Sequence, residues 1–576
     1  MSNAPEMLQQ RVETIAQICA AKGVRNFIIA PGSRSAPLTV AVSRHPQITC
    51  RVVYDERSAA YIALGLAQQL QQPVGLICTS GTAALNFAPA VTEAFYQQLS
   101  LLVFTADRPP EWIDQQDNQA IHQFKLYEPH CRASYELPVD TTHPDARWFV
   151  ERTVADAIHR CQGPTPGPVH VNVPLREPLY PSVEALAAPL PAPRIIQALP
   201  TQSTLNETTW DELLTLWHAA KRKLIIGGMH PTNPTLRQVL QTLGQDPTVA
   251  VIADITANLY PQGTALVHSD MILGTRNAAL IQQLQPDLVV TFGGQYISKY
   301  LRSLLRKQPP QAQWHLQLEG NAIDTLQCLT HLIPLRPAAF FQQLSQRAHP
   351  ATSGAYASLW QQLETEAATT LANFLEAAPF GEFQATYQVM RALPSGSRLQ
   401  LGNSMPIRYG NFIGYTGIDL AQINSNRGTS GIDGTVSTAV GAALTTDAIT
   451  TLIVGDLAFF YDRNGLWHAH LPPNLRIVIL NNHGGGIFQI IDGPGQLPPP
   501  VQETFFLTPQ PLNARRTAED HNCAYVFADN AATLAAMLPQ FFAPSSRAAI
   551  LEIETDMATN TEVFAQFRKV VANFRI

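Results

Sequence analysis

Thr451–Asn464, TLIVGDLAFFYDRN, and Leu475–Phe488, LRIVILNNHGGGIF, decide how this chain folds. Each opens on an aliphatic run, Leu452–Val454 in the first and Ile477–Leu480 in the second, then sets a polar residue at the start of a loop. Runs without alternation read as parallel strands buried on both faces, ending at the sheet rim where ligands usually bind. Asp456 and Asn482, 26 positions apart, then stand at two rims. The Asp supplies charge, the Asn a carbonyl oxygen, and Gly484 of the following turn a backbone carbonyl. Such a half-shell of oxygens suits Mg²⁺ completed by phosphate and water. The same residues also read as a strand-end Asp capping the next helix and a plain Gly-rich turn.

Outward from these strands, the third unit contains RLQLGNS (398–404), AQINSNRGTSGIDGTVSTAVG (421–441) and AAILEIETD (548–556). The first unit, to about residue 180, alternates a helix at Met7–Ala21, strands at Asn26–Ala30 and PVGLICTSG, a helix over Ala59–Gln71 and the strand LSLLVFTADRPP. Repeated strand–helix units imply a parallel, doubly wound sheet. Between the two lie KLIIGG, VAVIAD and DLVVTFGG, three apolar strands whose Gly pairs read as tight turns. The proline-rich stretch Pro178–Pro200 reads as a linker. Ala348–Gly354 reads as a second loose segment, before a long helix from Leu359 to about Ala377.

At 576 residues the chain needs three or four domains, and 45% apolar with 14% charged residues fits a folded soluble protein. A net charge of −6 argues against a nucleic-acid surface. Neither a membrane span nor a secretory signal is indicated. Seven cysteines without a CxxC pair read as reduced thiols. A cytoplasmic enzyme is expected.

Glu56 opens a helix straight after RVVYD, where a carboxylate is often only a partner for the helix dipole. PGSRS (31–35) and TSGTA (79–83) end strands of the same sheet, so Glu56 is expected to face their shared crevice.

VGDL followed by NN is similar to the thiamine-diphosphate signature GDG…NN, with Leu457 in place of the second Gly. The three-unit plan resembles the decarboxylating thiamine-diphosphate enzymes. APGSRSAPLT (30–39), YDERSAAYIALGLA (54–67), TSGTA, TADRPPE (105–111), NQAI (118–121), GNSMPIR (402–408), NSNRGTSGIDG (424–434) and VGDLAFFYDRN (454–464) narrow the likeness. They resemble the family of 2-succinyl-5-enolpyruvyl-6-hydroxy-3-cyclohexene-1-carboxylate synthases, over roughly two-thirds of the chain.

That resemblance implies three doubly wound parallel-sheet domains. They are pyrimidine-binding over 1–182, central over 183–350, and diphosphate- and Mg²⁺-binding over 351–576. It implies thiamine diphosphate with Mg²⁺ (or Mn²⁺) at the interface of a homodimer or tetramer. It implies decarboxylation of 2-oxoglutarate and 1,4-addition of the succinyl unit to isochorismate, in menaquinone or phylloquinone biosynthesis. Glu56 would promote the imino tautomer of the aminopyrimidine, which makes the thiazolium ylide. Two dianionic reactants require fixed cations, and Arg34, Arg108, Lys299, Arg408 and Arg427 sit in or beside the motifs. Ser33, Gln119, Ser404 and Phe488 join them at the substrates. Gly431, Ile432, Gly455, Asp456, Leu457, Asn482, Gly484 and Ile487 join Glu56 and Ser404 at the cofactor, with Asp456, Asn482 and Gly484 on the metal. Ile432 matches the residue that props the cofactor in its bent form. His483 stands where the family shows a second Asn, and either approaches the diphosphate or points to solvent. Two other readings stay open. One is a related thiamine enzyme, such as an acetohydroxyacid synthase or a benzoylformate-type decarboxylase. The other is a catalytically silent nucleotide- or quinone-responsive regulator.

Overall fold

Three six-stranded sheets, every pairing in them parallel, organise the computed structural model. It describes residues 4–140, 142–180, 192–199, 201, 203–260, 265–415, 417, 419–491 and 493–575. Most of the expected linker, residues 181–191 and 200, lies outside the described residues. The chain packs as two compact units, residues 1–200 with 426–447 and 460–473, and residues 201–425 with 448–459 and 474–576.

The first sheet runs β2-β1-β3-β4-β6-β5. Its strands are β1 Asn26–Ile29, β2 Thr49–Val52, β3 Val74–Cys78, β4 Leu101–Asp107, β5 Ala133–Glu136 and β6 Val169–Pro174. β3 and β4 are buried along their whole length, as their unbroken apolar runs require. The helix Glu56–Leu70 crosses Thr435–Ala443 within the same unit at very short range. A Cβ on Gly65 would lie 2.1 Å from the Thr438 carbonyl oxygen, and one on Gly441 2.1 Å from that of Ile62. Only glycine allows this approach.

The second sheet runs β12-β11-β10-β7-β8-β9, and the third β14-β13-β15-β16-β18-β17. The second contains β7 Lys223–Gly227, β8 Val249–Ala253, β9 Ala265–Leu266, β10 Leu288–Phe292, β11 Ala312–Leu316 and β12 His331–Ile333. The third contains β13 Arg398–Leu401, β14 Gln422–Asn424, β15 Thr450–Gly455, β16 Leu475–Asn481, β17 Ala524–Ala528 and β18 Ala549–Glu554. Strand order in the first and third sheets is the same when each is numbered from its own start, which bears out their expected likeness in plan. The second follows the other doubly wound order, reversing between β7 and β10.

Three local expectations change. The stretch after β15 is a short helix, Asp456–Tyr461, rather than a loop. The span Ala59–Gln71 extends back to Glu56, the residue expected to open a helix, because Asp55 caps it by accepting from the Ser58 N–H at 3.0 Å. The helix expected from Leu359 starts at Tyr356. Among the described residues, no helix is long and apolar enough to cross a membrane.

Candidate active site

In the second unit, β15 and β16 lie side by side and deliver Asp456 and Asn482 to adjacent points of one rim. Asp456 is 2% exposed. Burial raises its pKa, against hydrogen bonds from Gln510, Leu457 N–H and Gly484 N–H and the nearby His483 ring. Gln510 Nε2 donates to Asp456 Oδ2 at 2.7 Å. Asn482 Oδ1 accepts from Gly484 N–H at 3.1 Å, and its Nδ2 donates to Glu382 Oε1 at 2.6 Å. Asn482 and Gly484 therefore share one turn, and the Asp456 carboxylate from the neighbouring strand lies against it. His483, at φ +61°, turns its ring toward the Gln510 carbonyl and Glu554, with Nδ1 at 3.2 Å from the first and Nε2 at 3.8 Å from the second.

The glycines of this turn serve close packing. A Cβ on Gly484 or Gly485 would come within 2.6 Å of the carbonyl oxygen of Leu507 or Phe506. Gly455 is different, for a Cβ there would meet nothing within 4 Å. The chain's own packing does not demand a glycine at the end of β15, and the space beside it is open.

β13 lies next to β15 and leads into Ser404, which holds φ +73° at the start of the helix Met405–Ile413. A non-glycine residue in that region is strained, and such strain concentrates at functional sites. Arg408 lies one turn on and donates to the Ser404 carbonyl. Lys299 is the exposed first residue of the helix Lys299–Lys307. Ser298, before it, donates to the buried Asp270, which also accepts from Asn411 Nδ2 at 3.1 Å. Asp270 thus links the turn before Lys299 to the helix that carries Arg408. Ile487 and Phe488 begin the short helix Ile487–Ile490, and Phe488 meets Phe506 edge-on at 5.6 Å between ring centres.

In the first unit, Ala30 N–H donates to the Ile77 carbonyl and Val53 N–H to that of Ile29, so the loops after β1, β2 and β3 adjoin. Glu56 is half-buried there, close enough to Cys78 for its charge to help burial raise that thiol's pKa. Arg34 and Arg108 are buried neighbours. Burial lowers the Arg34 pKa and the Arg108 charge lowers it further. Arg34 pairs with Glu177 at 3.2 Å and Arg108 pairs with Asp117. The Arg34 Nε is buried without a hydrogen-bond partner among the described residues. Ser33 and Gln119 are exposed, Gln119 at φ +54°. The segment carrying Gln119 is tied to the TSG loop through Gln123, whose Oε1 accepts from Gly81 N–H at 2.8 Å.

The loop with Arg427, Gly431 and Ile432 belongs to this first unit too. Buried Glu93 accepts from Gly428 N–H and Thr429 N–H, both at 2.6 Å, and from the Thr429 hydroxyl at 2.5 Å. Tyr61 donates to Asp433 at 3.1 Å, fastening the same loop to the Glu56 helix. Ile432 is left 37% exposed.

The family model described as "Thiamine pyrophosphate enzyme, N-terminal TPP binding domain" matches residues 10–126, and "Middle domain of thiamine pyrophosphate" matches 192–401. The chain is similar to the 2-succinyl-5-enolpyruvyl-6-hydroxy-3-cyclohexene-1-carboxylate synthase of Cytophaga hutchinsonii, 39% identical over 98% of this chain and 99% of that protein. The chain belongs to this synthase family. The same-named proteins of Flavobacterium johnsoniae (36% identical over 97% of this chain and 98% of the relative) and Desulfotalea psychrophila (39% over 90% and 93%) agree. It is accordingly a thiamine-diphosphate enzyme that forms a carbon–carbon bond.

Within this synthase chain, sequence reasoning missed Glu382, Gln510, Glu93 and Asp270. Glu382 is buried, and its pKa is raised to about 7 by burial and by the Asp456 charge, against hydrogen bonds from Tyr409 and Asn482. Its only signal in sequence is a Glu after Gly381 at a helix start, which reads as a dipole partner. Among the described residues no three His, Cys, Asp or Glu side chains converge on one point.

Proposed function

We propose that this synthase decarboxylates 2-oxoglutarate and adds the succinyl unit in a 1,4 sense to isochorismate. It does so on the route to menaquinone or phylloquinone, as a cytoplasmic homo-oligomer with active sites between subunits. The substrate assignment is supported above all by the two buried guanidiniums, Arg34 and Arg108, held as neighbours although the Arg108 charge lowers the Arg34 pKa. Such a pair suits a reactant with several carboxylates, because guanidinium offers bidentate contacts and is less strongly hydrated than ammonium.

Thiamine diphosphate, when bound, supplies a nucleophilic carbon and an electron sink for the departing carboxylate. Glu56 holds a proton toward a nitrogen of its aminopyrimidine ring. Asp456, the Asn482 carbonyl and the Gly484 carbonyl are the oxygens for Mg²⁺, or Mn²⁺, against the diphosphate. The turn fits that role, because it offers one buried carboxylate and neutral oxygens but no closed cage, so phosphate oxygens complete the shell. The open space beside Gly455, next to Leu457, would admit the cofactor's phosphates, and in the first unit Gly431 and exposed Ile432 would contact the cofactor, Ile432 supporting its bent form. Ser404, Ser33 and Gln119 offer polar contacts to the reactants, and Ile487 and Phe488 keep water from the reacting carbon. Lys299, Arg408 and Arg427 join the buried pair in holding four carboxylates and stabilise the charge that shifts during addition.

The test is mass analysis after incubation with 2-oxoglutarate, isochorismate, thiamine diphosphate and Mg²⁺. The expected product has the summed mass of both reactants less one carbon dioxide, and forms only with the cofactor. Consumption of 2-oxoglutarate at the same rate without isochorismate would instead indicate a related thiamine enzyme. Binding without carbon dioxide release would indicate a silent regulator.

A further inference from the structure

Asn482 can face a cation with its carbonyl oxygen only if something dictates which end of its amide points inward. We infer that Glu382 is the positioning residue that does this, and that it ties the metal turn to the helix bearing Ser404 and Arg408. The inference rests on the metal assignment proposed above.

Glu382 is the first residue of the helix Glu382–Arg391 and is 4% exposed. Its own N–H donates to Asn560 Oδ1 at 2.8 Å. Both of its side-chain oxygens are engaged. Oε1 accepts from Asn482 Nδ2 at 2.6 Å, and Oε2 accepts from the Tyr409 hydroxyl at 3.1 Å. Asn482 has one donating and one accepting end, and with its amide nitrogen on Glu382 its Oδ1 faces the opposite way. On that side Oδ1 meets the Gly484 N–H at 3.1 Å, in the turn that also reaches Asp456. Tyr409 sits in the helix Met405–Ile413, one residue after Arg408. A single side chain therefore joins the oxygen donor of the metal turn to the element that presents a substrate arginine. Partners that orient a ligand in this way contribute about 10–100-fold to metal affinity in known sites.

The experiment separates reach from charge. Apoenzyme of the full chain, with thiamine diphosphate held constant, is titrated with Mg²⁺ and followed by calorimetry or tryptophan fluorescence. Glu382→Asp keeps the charge but shortens the side chain by one methylene, and Glu382→Gln keeps the length and an acceptor oxygen but removes the charge. The expected result is Mg²⁺ binding weakened about 10-fold or more in Glu382→Asp and about 3-fold or less in Glu382→Gln. Melting curves recorded alongside show whether either change merely loosens the fold, which lowers the melting temperature without moving the metal affinity. Glu382→Asp binding Mg²⁺ as tightly as wild type, or more tightly than Glu382→Gln, overturns the inference. If wild type itself shows no Mg²⁺-dependent cofactor binding, the metal assignment falls, and that outcome is distinct from either.

Discussion

Glu56 is held by its two neighbours in sequence. Asp55 caps the helix and accepts from Asn464 Nδ2 at 2.9 Å, while Arg57 donates to the Tyr461 carbonyl at 2.9 Å and lies over the Tyr461 ring at 4.7 Å. The carboxylate between them is fixed by contacts it does not itself make. Replacing Glu56 with Gln should therefore leave melting temperature and Mg²⁺ binding near wild type while turnover falls about 10²–10⁴-fold, the usual contribution of a positioned acid or base. Turnover within a few-fold of wild type would remove Glu56 from that role. Asp456 and Asn482 were legible because each directly follows an apolar strand, and Glu56 because it opens a helix shortly after β2. Glu382 and Gln510 were not, because their partners Asn482 and Asp456 lie 100 and 54 positions away in the chain, and no local pattern encodes such a pairing.

At the level of elements, aliphatic runs revealed the long central strands, and glycines marked the turns. The short outer strands β5, β9 and β12 escaped, since two to four residues give too little pattern to read. β11, AQWHL, escaped for a different reason. It is buried throughout, yet it carries Gln313 and His315, whose polarity is absorbed by the hydroxyl of Thr291 at 3.2 Å and 2.8 Å. Two glycine substitutions separate a packing role from a ligand role. Gly485→Ala places a Cβ 2.6 Å from the Phe506 carbonyl oxygen, and should cost about 1–3 kcal/mol of stability in denaturant titration. Gly455→Ala meets nothing within 4 Å, and should leave stability unchanged while weakening thiamine-diphosphate binding, measured by fluorescence titration. Unaltered cofactor affinity in Gly455→Ala would mean that the open space beside it serves something else.

For the molecule as a whole, the repeated strand order places the loops that carry the candidate site residues at equivalent rims of the first and third sheets. The three-sheet plan was legible from alternating strand and helix patterns. The partition of 426–447 and 460–473 into the first unit was not, because it depends on close helix packing through Gly65 and Gly441. The central proposal is that each bound cofactor is gripped by Glu56 of one subunit and by the Asp456 turn of another. The most direct measurement is complementation. Glu56→Gln and Asp456→Ala chains, each inactive alone, are co-expressed under different tags and purified through both, so that only mixed oligomers are assayed. In a two-fold assembly with shared sites, one of the two sites in a mixed dimer recovers both native residues, so roughly half of wild-type activity is predicted. Mixed dimers no more active than the separate variants would contradict the shared site.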